Sequence, residues 1–213
     1  MIRLACILPF LLFFACKREP DLKLDQTTKG NPEPVFYVQG NSNIAILNNL
    51  RAGVNDYYMY SDYGKIAVNS IVFCSSQLRK SGTDEVSPNS VQIELSSYTF
   101  DTVNFDPNVM FYNGKSFDFI YDSTLVDEFT GDTNEVIVRF YDPLGTKYSS
   151  KFIPSGFGNT FFEVTGVEDY ENNELGQKVK RVMFSLSCAV QDSSQQMTDT
   201  VSLQGAFAFA YPD

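Results

Sequence analysis

Val179-Lys180-Arg181-Val182-Met183-Phe184-Ser185-Leu186-Ser187-Cys188-Ala189-Val190 carries Val182, Phe184, Leu186, Cys188 and Val190 at every second position. A period of two puts all five side chains on one face of an extended strand, where a helix would scatter them. The next run repeats the pattern with Val201, Leu203, Phe207 and Phe209, and Gly205 stands where a bulge or a close backbone approach belongs. Working outward, the same period governs Val91, Ile93 and Leu95, then Phe117 and Phe119, then Val136, Val138 and Phe140. Strand-like runs also cover 35–39, 44–52, 57–63, 70–76, 147–153 and 161–165, and no window of helical length keeps a period of 3.6 residues. Turn formers separate them, among them Gly40-Asn41-Ser42-Asn43 and Asp142-Pro143-Leu144-Gly145.

About ten short strands punctuated by turns predict an all-β chain, an antiparallel β-sandwich with apolar residues alternating inward. The alternative is two small immunoglobulin-like units divided near 98–108. One continuous domain over 35–213 is preferred, because no Gly/Ser or Pro-rich linker interrupts the chain there and the loop itself carries Phe100 and Phe105. With 43% apolar residues, including 19 Phe and 12 Tyr, the chain has ample material for a core.

The first residues have another character. Arg3 precedes an apolar run, Leu4 to Ala15, that is too short to span a hydrocarbon layer and is followed at once by Lys17, Arg18 and Glu19. Leu12-Phe13-Phe14-Ala15-Cys16 resembles the lipobox of bacterial lipoproteins, with Phe13 where that motif usually has Leu. The resemblance implies a signal peptide over 1–15 and a lipidated N-terminal Cys16. Two or more acyl chains, at about 0.8 kcal/mol per buried methylene, anchor stably where one is reversible. Residues 16–34 then form a tether, whose polar, proline-rich composition cannot offset the entropy of ordering it.

The phrases PVFYVQGNSN, LRAGVNDYYMYSDY, FFEVTGVEDYENNELGQKVKRVMFSLSCAV and LQGAFAFAYP resemble those of uncharacterised cell-envelope lipoproteins of the Bacteroidota. That resemblance implies an outer-membrane location. Lys17 is followed by Arg18 before the acids Glu19 and Asp21, which leaves periplasmic and surface-facing placements both open.

Charge narrows the partners. The 16 basic residues against 26 acidic ones give a net charge of −10, and loss of Arg3 with the signal makes it −11. A surface of that sign repels phosphate backbones and anionic lipid headgroups, which excludes nucleic acid and polyanionic membrane surfaces as partners. The chain has no histidine, so Ser-His-Asp and Cys-His activation, imidazole bases and imidazole metal ligands are all missing. No enzyme is expected. A carboxylate pair of the glycosidase type is the one catalytic alternative, since its members are defined only by separation in space.

The remaining candidates are local. Asp101, Asn104, Asp106 and Asn108 place oxygen ligands on one loop as a calcium site needs, with Asp132, Asn134 and Glu135 as a second cluster, though turn-forming hydrogen bonds explain both sets more simply. No other cofactor is indicated. Tyr58, Tyr60 and Tyr63 form an aromatic run that could contact a ligand or partner, or line the edge of the core. Cys74 and Cys188 remain after Cys6 and Cys16 are set aside, and a disulfide and a pair of buried thiols are both open. The expectation is a lipid-anchored structural or protein-interaction module working through a sheet edge or an aromatic patch. A glycan-binding lipoprotein for nutrient capture is the alternative.

Overall fold

The structure is a computed structural model that describes residues 35–42, 50–66, 71–82, 87–98, 104–120, 134–153, 160–194 and 197–213. Cys16 and the rest of 1–34 lie outside the described residues, as does Asp101.

Among the described residues, eleven strands form one sheet: β1 Tyr37–Asn41, β2 Leu50–Arg51, β3 Tyr57–Ile66, β4 Ile71–Lys80, β5 Ser90–Tyr98, β6 Asp118–Phe119, β7 Glu135–Tyr141, β8 Lys147–Ser149, β9 Phe161–Tyr170, β10 Lys178–Asp192 and β11 Thr198–Tyr211. Their spatial order is β2-β1-β11-β10-β8-β7-β5-β4-β3, with β9 beside β10 and β6 beside β7. All pairs are antiparallel except β6 with β7. The sheet folds over so that β11 packs across β3 and β4, giving a nearly closed, barrel-like sandwich. β5 and β7 flank the segment at which two units would divide, yet they are neighbours in this sheet and share one core.

The core is the set of in-phase apolar residues that the two-residue period picks out. Phe162, Phe184 and Phe207 form its spine, with ring centroids 5.6 and 5.3 Å apart, and Phe117 meets Phe162 edge-on at 5.6 Å. Of the two expectations for Gly205 one holds, and the run 147–153 changes in detail. Gly205 marks no bulge, because its register is regular; it marks close approach, since a Cβ there would lie 2.4 Å from the Tyr37 carbonyl oxygen. The irregularity falls on β9 instead, opposite Met183 and Phe184. The run 147–153 is a short strand followed by a 3-10 turn, Ser150–Phe152, because the Ser149 hydroxyl accepts from Lys151 N at 3.2 Å and ends the extended path.

Two hairpins use one turn device. Asp142 Oδ1 accepts from Leu144 N and Thr146 N at 2.8 Å, with Gly145 at φ 84°. Asn173 Oδ1 accepts from Leu175 N at 3.0 Å and Gln177 N at 2.9 Å, with Gly176 at φ 76°. The second hairpin also reaches across the fold: Asn173 Nδ2 donates to the Ser61 carbonyl at 3.4 Å, and Gln177 Nε2 donates to Asp62 Oδ1 at 3.0 Å. The middle of the edge strand β3 is thereby covered.

Candidate functional site

The sequence candidates are placed first. Tyr58 and Tyr60 lie on the outer face of β3 and Tyr63 on the inner face, packed against the core. Tyr60 is not an open platform, because the Arg79 guanidinium sits 4.0 Å from its ring centroid. The same outer face continues over β4, β5 and β7 as a polar network. Gln92 Nε2 donates to Glu94 Oε1 at 2.8 Å and to Ser75 Oγ at 3.3 Å, and Arg139 Nη1 lies 2.7 Å from Glu94 Oε1. Both members of that ion pair are largely shielded from water.

Asp106 caps the one-turn helix α1, Pro107–Met110, by accepting from Asn108 N at 2.9 Å and Asn108 Nδ2 at 3.0 Å. Asn104, Asp106 and Asn108 are all exposed, and Asn134 Oδ1 accepts from the Ser97 hydroxyl at 2.9 Å. Among the described residues, no three acidic or cysteine side chains are grouped as a metal site requires. Cys74 and Cys188 are free thiols, both buried, and burial pushes the pKa of each well above the ordinary thiol value; Asp62 adds to the effect at Cys74. They serve as small core side chains, Cys74 Sγ lying 3.9 Å from Met110 Sδ.

A different face carries a concave surface. Phe161 on β9, Ser187 on β10, Ser202 on β11 and Asn41 on β1 stand opposite one another in the register, and the next outward row is Glu163, Ser185, Gln204 and Gln39. These positions are the polar phase of the strands whose apolar phase builds the core: Phe184 and Leu186 point in, Ser185 and Ser187 out. Apart from Glu163, the two rows line a groove of about 590 Å³ floored by Leu186, Leu203 and Gly40. Four strands at about 4.8 Å spacing make it roughly 14 Å across. Among the described residues every side chain lining it is uncharged, and the Glu163 carboxylate stands outside it at the β9 margin. Phe161, 47% exposed, forms one wall.

The groove is held by contacts beneath and beside it. A Cβ on Gly40 would fall 2.0 Å from the Ser202 carbonyl oxygen, so glycine is what lets β1 close on β11. Arg181 Nε donates to the Val35 carbonyl at 2.8 Å and Nη1 pairs with Glu168 at 2.8 Å, fixing one end of β1. Ser42 donates to Asp199 Oδ2 at 2.5 Å and fixes the other. Ser187 and Ser202 share a hydrogen bond at 3.2 Å across the groove floor. Sequence reasoning misses this site altogether. Its signal is the out-of-phase polar set in VQGN, FSLS and SLQG, which becomes a surface only once β1, β11, β10 and β9 are known to be neighbours.

No protein-family model, curated protein or solved structure matches the chain.

Proposed function

We propose that this chain is an exported, lipid-anchored binding protein, held at a membrane through Cys16, whose working surface is the uncharged groove across β9, β10, β11 and β1. The groove is the single observation that carries the reading. A net charge of −10 over the chain, beside a concave surface lined among the described residues by Ser, Gln, Asn and Phe side chains over Leu186, Leu203 and Gly40, separates one face from the rest. The β3 edge is covered by Asn173, and the Tyr60 ring is stacked under Arg79. Binding is favoured over turnover, since the groove lining holds no carboxylate and the chain no histidine.

The test uses the full-length chain in its native envelope. A photo-reactive benzophenone side chain replaces Phe161 in one variant and Leu144, 90% exposed on the far hairpin, in another. The expected result is an adduct at 161 and none at 144, together with release of a Cys16→Ala variant from the membrane fraction. Adducts at 144 alone contradict the groove, and a membrane-bound Cys16→Ala protein contradicts the anchor.

A further inference from the structure

We infer that the ligand of this groove is an uncharged oligosaccharide laid across the strands from Phe161 to Asn41, an assignment that rests on the groove being the working surface. A neutral sugar chain presents hydroxyls that both donate and accept, and apolar C–H patches on the ring faces. Gln39, Asn41 and Gln204 each offer an amide that both donates and accepts, and Ser185 and Ser187 offer hydroxyls that do the same. Phe161 supplies an exposed ring for the C–H face.

Other ligand classes fit less well. A nucleic acid or a sulfated or uronic chain needs cations, and none lines the groove, while Glu163 at the margin repels polyanions. A peptide docked by strand addition needs a free sheet edge, and this surface is the face of paired strands. A helix docked by its apolar side needs an apolar trench, and apart from the Phe161 ring the side chains standing on this floor are polar. With three of the amides on exposed or half-exposed strand positions and one wall open, contacts stay wet and affinity is modest, in the micromolar to millimolar range.

Nitrogen-15 amide spectra of residues 17–213, expressed without the signal and Cys16, are recorded with neutral gluco-, manno-, xylo- and galacto-hexaoses and with a hexagalacturonate. The expected result is saturable shifts from at least one neutral hexaose, clustered at 39–41, 161, 185–187 and 202–204. Phe161→Ala and Gln204→Ala each weaken that binding about tenfold or more while leaving the rest of the spectrum in place. Binding of the hexagalacturonate in preference overturns the neutral class. If no hexaose binds at millimolar concentration while the benzophenone at 161 still captures an envelope protein, the sugar assignment falls and the groove stands. Shifts clustered at 58–60 and 77–79 overturn both.

Discussion

The two outer faces of this one sheet are built from the same strand alternation, yet they spend their polar side chains differently. Over β3, β4, β5 and β7 the outward polar residues engage each other: Arg79 stacks on Tyr60, and Arg139 meets Glu94, which also accepts from Gln92. Around the groove on β9, β10, β11 and β1 the lining polar groups are neutral amides and hydroxyls turned toward solvent, with Ser187 and Ser202 sharing one hydrogen bond. A polar group committed to a neighbour stabilises the fold, whereas one left at a concave surface is available to a ligand. The first face therefore contributes stability and the second recognition.

Substitutions separate the two roles. The largest effect is expected beneath the groove, at Gly205→Ala, where the new Cβ meets the Tyr37 carbonyl at 2.4 Å and the Phe184 ring at 3.1 Å. Overpacking of this kind costs about 3 kcal/mol, read from urea unfolding, and displaces β1, so binding falls with stability. On the closed face, Glu94→Gln removes the charge that lies 2.7 Å from the shielded Arg139 guanidinium and costs about 2 kcal/mol without touching the groove. Asn173→Ala removes both the turn bonds and the tie to Ser61, for about 1.5 kcal/mol, and raises amide exchange in β3. Smallest is the groove itself. The triple change Gln39→Ala, Ser185→Ala, Gln204→Ala shifts unfolding by no more than about 0.5 kcal/mol while abolishing capture at the Phe161 position.

Alkaline pH acts on the core beneath both faces. Burial holds the pKa of Cys74, Cys188, Tyr57, Tyr148 and Tyr170 above their ordinary values, aided at Tyr148 by Asp142, Asp192 and Asp199. Their neutral forms are favoured by folding, so this stability is complete below the unfolded thiol and phenol values of 9.0 and 10.0 and is lost as pH rises toward the raised ones. Lys115, whose pKa burial lowers, changes in the opposite sense. The expected outcome is a melting temperature that falls between pH 8 and pH 10.5, with both thiols unreactive to maleimide until the chain unfolds.

How far the sequence leads is visible strand by strand. Val182 to Val190 and Val91 to Leu95 announce their buried face because a half-buried strand must alternate, and every one of those apolar residues lies in the core. Turns at Asp142 and Gly145 are equally plain, since the side chain and the glycine each have a local job. The groove is not legible in this way. Ser187, Ser202 and Asn41 lie far apart in the chain, and their rows depend on strand order, which is set by closure of the whole sheet rather than by any local period. Tyr58 and Tyr60 stood out by composition, and Arg79 on the neighbouring strand, lying over Tyr60, takes up that ring's face.

Hydroxyl-radical footprinting of the full-length protein, in its native envelope and again after purification, compares the two faces in a single measurement. The account predicts that oxidation of Phe161 is suppressed in the envelope and recovers on purification, while Tyr58 and Tyr60 are unchanged. Suppression at Tyr58 and Tyr60 with Phe161 unaffected would place the working surface on the other face and contradict it.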